Sequence, residues 1–202
     1  MPTRSYVSPV RNAVAAEKRA RVVAVAGRLL SEEANVASFS LEAVAKTAGV
    51  TRLTVYNQFG SRRGLLEAVF DERAKLGGLS RILEAAAMDD PRAGLDRLIE
   101  IFCEFWGDSA IARLHAAAAA DPEFAQAMAE RNERRRRVLG GFVARICGAE
   151  PAGARSRKDA VDLMFAVTSH AMFATMSVGR SREAVCALLK SACAAALERV
   201  GT

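Results

Sequence analysis

The sequence predicts an all-α protein, and three observations carry that expectation. Hydrophobic residues make up 51% of the 202-residue chain, enough for a packed core. Val, Thr and Tyr never gather into the alternating runs that mark half-buried strands. Apolar residues, with Ala dominant, instead recur at helical spacing between capping signals.

Residues 1–14 contain Pro2, Ser5, Ser8 and Pro9 and lack helical periodicity, so they read as a flexible arm carrying Arg4 and Arg11. From Ala15 a helix is expected to about Ala34, with Val22, Val25, Ala26, Leu29 and Leu30 on one face. Asn35 stands where a left-handed C′ residue is needed. Ser40 offers a side-chain oxygen to cap a second helix, which should end at Ala48–Gly49. Gly49 permits a sharp turn, Thr51 caps a third helix over Arg52–Gln58, and Gly60 breaks it. Ser61 opens a fourth helix ending near Gly77–Gly78, followed by a short one over about 79–87.

Asp90–Pro91 pairs an N-cap with Pro at the first helical position. The helix it opens places Leu95, Leu98, Ile99, Phe102, Phe105 and Trp106 at helical spacing. Asp121–Pro122 repeats the signal before a long helix ending near Cys147–Gly148. Inside it Gly140 and Gly141 each cost ~1 kcal/mol against Ala, which predicts a kink or close packing there. Residues 148–157, with Pro151, form the clearest linker after the arm. Two last helices, about 158–178 and 182–200, are divided by Gly179-Arg180-Ser181, and no internal repeat is evident.

Charge is distributed unevenly. Residues 1–65 carry ten Lys/Arg against four Asp/Glu, whereas residues 66–202 carry nineteen of each, so the whole net +6 sits in the first third. A basic segment joined to a neutral body is the electrostatic footprint of a nucleic-acid-binding module. Cys103, Cys147, Cys186 and Cys193 form no C-x-x-C pair, and there are only two His. No metal site, disulfide framework or cofactor is therefore expected, and the thiols suit a reducing cytoplasm. Residues 1–20 hold no apolar signal region, and no apolar run approaches a membrane span, so a cytoplasmic protein without membrane attachment is expected.

The stretch Ser40 to Leu66 carries the chemistry. Two helices of about eight residues joined through Ala48-Gly49-Val50-Thr51 have the proportions of a helix-turn-helix, whose second helix enters the major groove. Its leading side chains would be Arg52, Leu53, Thr54 and, one turn on, Asn57. Arg can read guanine O6/N7, Asn can read adenine N6/N7, and Leu53 can meet a thymine methyl. Ser40, Thr51, Tyr56 and Arg62 are placed to hold phosphates, and capping by Ser40 and Thr51 is compatible with that role. Val44, Ala45, Val50, Val55 and Phe59 should hold the helices together.

Together, Val44-Ala45, Ala48-Gly49-Val50-Thr51, Thr54-Val55-Tyr56, Phe59 and Ser61-Arg62 before Leu65-Leu66 resemble the TetR-type repressors over residues 16–66. Asp121-Pro122-Glu123-Phe124-Ala125 resembles a segment of that family's second domain more loosely. Leu53 stands where Gly is frequent, Arg62 where Lys is, Gln58 where an aromatic is, and Asn35 where Gly is. The resemblance implies three DNA-binding helices within residues 15–62 and a ligand-binding, dimer-forming domain over 63–202. It also implies release from a palindromic operator when a small molecule binds.

In that second domain Phe102, Phe105, Trp106, Met128, Phe142, Phe165 and Met172 are candidates to line a pocket for a mainly apolar, uncharged or weakly charged ligand. Polar partners would come from His115, Thr168, His170 or Thr175. For any one of these residues, ordinary core packing is the competing assignment. Val185, Leu188, Leu189, Ala192 and Ala196 are candidates for a homodimer interface of closely packed helices. The run Arg134–Arg137 reads as a solvated helix face supported by Glu130–Arg134 and Glu133–Arg137 pairs. Two other readings compete. A DNA-coating architectural protein would bind with little sequence preference and a steep salt slope, but the aromatic- and Met-rich second domain speaks against it. An enzyme is disfavoured because no G-x-S-x-G, H-E-x-x-H, P-loop or dinucleotide fingerprint is present.

Overall fold

The computed structural model describes residues 9–32, 39–148 and 153–200, and among them every regular element is helical. The arm residue Arg4, the proposed cap Asn35 and the linker residue Pro151 lie outside the described residues. Two compact units are present, Met1–Glu72 and Arg73–Thr202.

The first unit begins with α1 (Pro9–Glu32). It starts six residues earlier than the sequence suggested. Proline is tolerated in a first helical turn, where its missing N–H costs nothing, and Ala13 to Ala16 then propagate the helix. Val22, Val23, Ala26 and Leu30 are its buried face. Next come α2 (Leu41–Ala48) and α3 (Arg52–Phe59). The hydroxyl of Ser40 accepts from Ala43 N at 3.1 Å, and that of Thr51 accepts from Thr54 N at 3.1 Å. Between them Gly49 takes φ 65°, ψ 38°, the left-handed conformation the tight turn requires. Phe39, Val44, Ala45, Ala48 and Val55 complete the core with Leu65, Leu66, Val69 and Phe70 of α4 (Arg62–Leu76). Val50 and Phe59, expected in this core, are half-buried.

The second unit continues through a 3₁₀ turn (Leu79–Arg81), α5 (Ile82–Ala87) and α6 (Pro91–Trp106). Asp90 caps α6 with Pro91 in its first turn. α7 (Ser109–Ala120) is a separate helix that the sequence reading did not single out; Asp108 caps it through Ala110 N at 2.7 Å. α8 (Pro122–Cys147) is capped by Asp121 and runs without interruption through Gly140 and Gly141. A Cβ at either glycine would meet nothing within 4 Å, so close packing within this chain is not why they are there.

The single helix expected over 158–178 is two, α9 (Ala154–Val167) and α10 (His170–Met176), before α11 (Arg182–Glu198). Ser169 accepts from Met172 N at 3.2 Å and starts a new helix there. The Thr168 carbonyl, left out of the helical ladder, accepts from Trp106 Nε1 at 3.0 Å. A buried tertiary hydrogen bond therefore stabilises the break.

Candidate nucleic-acid interface and a buried histidine cluster

The exposed surface of the helix-turn-helix is α3. At about 100° per residue, Arg52, Tyr56, Leu53 and Asn57 fall in that angular order within an arc of about 140°. All four are exposed, with Leu53 at 65% and Tyr56 at 56%, while Val55 on the far side is fully buried. A large leucine and a tyrosine are thus left in water beside an arginine and an asparagine, so this face is not packed within its own unit. Ser40 and Thr51 stand exposed at the N-termini of α2 and α3, where free backbone N–H groups favour phosphate.

Two of the expected contact residues are engaged inside the unit. Thr54 is half-buried, and its hydroxyl lies 2.9 Å from that of Thr51. Arg62 is half-buried, donates from Nε to the Phe39 carbonyl at 3.2 Å and lies 5.8 Å from the Phe39 ring centroid. It ties the start of α4 to the residue before the α2 cap. Arg19, which the sequence did not flag, donates to the Gln58 carbonyl at 2.9 Å and stacks 4.3 Å over the Phe59 ring. It fastens α1 to the end of α3. A separation of thirty-nine residues hides such a contact from local pattern reading.

In the second unit Phe102, Phe105, Trp106, Met128 and Phe142 are buried, whereas Phe165 and Met172 are half-buried. Of the proposed polar partners, Thr175 is exposed and bonds its own helix through Ala171 O, so it stands apart from the others. His115 of α7 and His170 of α10 stack with ring centroids 4.1 Å apart and planes 2° from parallel. Trp106 meets both edge-on, at 5.7 and 5.8 Å. Thr168 is completely buried and donates to Met164 O at 2.7 Å.

Arg135 closes the cluster and corrects the reading of the Arg134–Arg137 run as solvated. It is only 8% exposed and donates from Nη1 to Phe165 O at 2.8 Å and Thr168 Oγ1 at 2.6 Å. Its guanidinium stacks 4.1 Å over the Phe165 ring. Arg136 covers the same ring, pairs with Asp162 and is approached by Glu133 at 3.3 Å, so Glu133 serves Arg136. Burial pushes Arg135 down to about 10. Burial, then repulsion from His170 and Arg135, pushes His115 down to about 4, and burial lowers His170 as well. Burial also lifts the Cys103 thiol far above its ordinary range, which leaves almost no thiolate at neutral pH.

The expected dimer residues divide. Val185, Leu189 and Ala196 are buried in the second unit itself, where α11 packs on α6 and α9, and cannot also face a partner. Leu188 is 44% exposed and Ala192 is half-buried. Helical spacing alone did not reveal which stripe of an Ala-rich helix its own domain would use.

A helix-turn-helix with an exposed second helix, followed by a larger all-helical unit, defines the class of helix-turn-helix regulatory proteins. Residues 23–69 match the family model described as bacterial regulatory proteins, tetR family. That match covers the N-terminal part alone, so residues 23–69 are similar to the N-terminal domain of the tetR-family regulatory proteins. A solved structure from Mesorhizobium loti MAFF303099, assigned to the TetR-family transcriptional regulators, shares the fold. It is 18% identical, with 91% of this chain and 96% of that chain covered and a TM-score of 0.63. The TetR-like regulator LfrR from Mycobacterium smegmatis is 19% identical over 93% of this chain and 97% of its own, but its TM-score of 0.41 is too low to inform the fold. No curated protein matches significantly.

Proposed function

We propose that the protein is a homodimeric repressor, released from a palindromic operator by a small-molecule effector bound in the second unit. The observation that carries the DNA half is the exposed arc Arg52, Leu53, Tyr56 and Asn57 on α3. Arg52 and Asn57 supply bidentate base readers, Leu53 a thymine contact and Tyr56 a phosphate contact. Ser40, Thr51 and Arg62 assist on the phosphates, and Thr54 acts mainly by holding Thr51.

Twofold symmetry suits the arrangement, since two recognition helices entering successive major grooves must stand ~34–36 Å apart. The outer side of α11, with Leu188 and Ala192, supports pairing with a second copy. An effector that favours a state with a different separation lowers DNA affinity, because the two half-sites can no longer be engaged together.

Selection of bound duplexes from random DNA tests this reading. It should return a two-half-site palindrome, and light scattering at micromolar concentration should give a dimer. Binding without sequence preference, with a steep salt slope, would instead favour the architectural reading.

A further inference from the structure

Three cavities of the second unit differ in how their charge is compensated. The largest, about 380 Å³, lies between α6 and α11 and is lined by Glu100, Glu104, Arg182 and Lys190 among others. Both of its glutamates just named are already paired, Glu100 with Lys190 at 2.7 Å and Glu104 with Arg81, and Glu183 on the same wall neighbours Arg182, which borders the third cavity as well. A second, about 190 Å³ beside Phe142 and Arg145, is small for an effector, and Arg145 is spent on the Ala86 and Met88 carbonyls.

The third, about 340 Å³, borders the histidine cluster. Its apolar wall is Trp106, Phe173, Ala112 and Ala174, and its polar groups include His170, Arg180 and Arg182. The one carboxylate on the wall, Asp108, is committed to Ala110 N at 2.7 Å and to Arg73 at 3.4 Å. Among the described residues Arg180 donates only to the Met176 carbonyl, at 3.3 Å, and Arg182 meets only the exposed Glu183, at 3.6 Å.

Behind the wall the imbalance deepens. Arg135 is nine-tenths buried, its Nη1 bonds go to neutral oxygens, and its Nε makes no hydrogen bond among the described residues. The Nε2 of His115, stacked on His170, is likewise buried without a partner. A buried guanidinium whose bonds go to neutral oxygens, and on which Glu133 acts only through space and less than Arg136 does, leaves a positive field that a nearby anion relieves and a cation cannot.

We infer that the effector is a small organic carboxylate. Its apolar body lies against Trp106 and Phe173, and its charge meets Arg180, Arg182 and His170. A volume of about 340 Å³ suits a compact aromatic or short aliphatic acid rather than a long lipid. This deepens the effector half of the proposed function and rests on it. Arg135 and His115 are positioning groups, setting the potential behind the site without touching the ligand.

Trp106 is the only tryptophan, so fluorescence excited at the red edge, where tyrosine does not absorb, reads this wall alone. The full-length protein is titrated with 3-phenylpropanoate and octanoate, and with the isosteric 3-phenylpropanamide and octanamide. The acids should saturate the signal with dissociation constants about tenfold or more below those of the amides, as expected when charge-assisted hydrogen bonds form. The double variant Arg180→Ala, Arg182→Ala alters exposed side chains only, and it should erase most of that preference by weakening the acids far more than the amides. Amides binding as tightly as acids, or an acid preference that survives the double variant, overturns the inference. Operator binding measured on the same samples separates the two ideas. If acids bind while the DNA complex persists, the carboxylate site stands and the release mechanism fails. If other compounds release DNA while every acid leaves Trp106 undisturbed, the release mechanism stands and the carboxylate site fails.

Discussion

Arg52 and Arg62 carry the same charged group ten positions apart, and their surroundings give them different work. Arg52 is exposed at the first turn of α3, whereas Arg62 is half-buried and bonded to the Phe39 carbonyl. Arg52→Ala should therefore leave thermal unfolding unchanged while costing ~1–3 kcal/mol of operator affinity and relaxing preference at one base. Arg62→Ala should weaken all duplexes alike and also lower folding stability by ~1 kcal/mol, the worth of a hydrogen bond from a charged donor that also packs. Equal melting temperatures for the two variants would show that the Phe39 contact holds nothing.

The histidines give a second test at this scale. Burial holds His115 at about 4, below the roughly 6.5 of a free imidazole. The unfolded chain thus binds this proton more readily than the folded one, so stability is present at neutral pH and lost as pH falls from roughly 6.5 to about 4. Urea melts across that window should record the loss, and His115→Gln should flatten it; an unchanged profile in the variant would assign the loss elsewhere. The residue types were legible in the sequence, and His115, Thr168 and His170 were candidates together. Arg135 was not, because four consecutive arginines look alike until a neighbouring helix breaks and offers one of them a carbonyl.

At the scale of the element, what the sequence made legible was local. Ser40, Thr51, Ser61, Asp90 and Asp121 act within three residues of themselves, and each cap expected on those grounds is found: the hydroxyl of Ser61, for instance, accepts from Gly64 N at 3.1 Å. Events settled by distant partners were not legible. The break at Thr168–Ser169 depends partly on Trp106, sixty-two residues away. Glycines make the same point, since those inside helices have different neighbours. A Cβ on Gly64 would collide with the backbone carbonyl of Phe59, whereas one on Gly140 or Gly141 would meet open space. Gly64→Ala should thus destabilise the first unit and abolish DNA binding despite alanine's better helix propensity, while Gly140→Ala should stabilise by up to ~1 kcal/mol. Circular dichroism melts of the two variants should move in opposite directions, and a stabilising Gly64→Ala would contradict the close approach of α4 to the end of α3.

For the whole molecule the argument becomes one of linkage between the unit that carries the helix-turn-helix and the unit proposed to bind the effector. α4 runs from Arg62 to Leu76 without interruption, and the boundary between the units, at Glu72–Arg73, falls inside it. An effector changes operator affinity only through the difference in its own affinity for the DNA-competent and DNA-incompetent states. Thermodynamics then makes the effect reciprocal: whatever factor the effector takes from operator binding, the operator must take from effector binding. Trp106 reports on the cavity and not on the α3 surface, so both halves of the cycle can be measured in one protein. If 3-phenylpropanoate weakens the operator complex by a given factor, saturating operator should raise the dissociation constant read at Trp106 by that same factor. For couplings of 1–3 kcal/mol the factor is roughly 5- to 150-fold, well within reach of a fluorescence titration. Arg52→Ala should leave the factor unchanged while weakening the operator complex itself, because it removes a contact to DNA without altering the balance between the two states. A compound that releases DNA yet binds Trp106 equally well with and without operator would be acting as a competitor at α3, and the two units would then be independent.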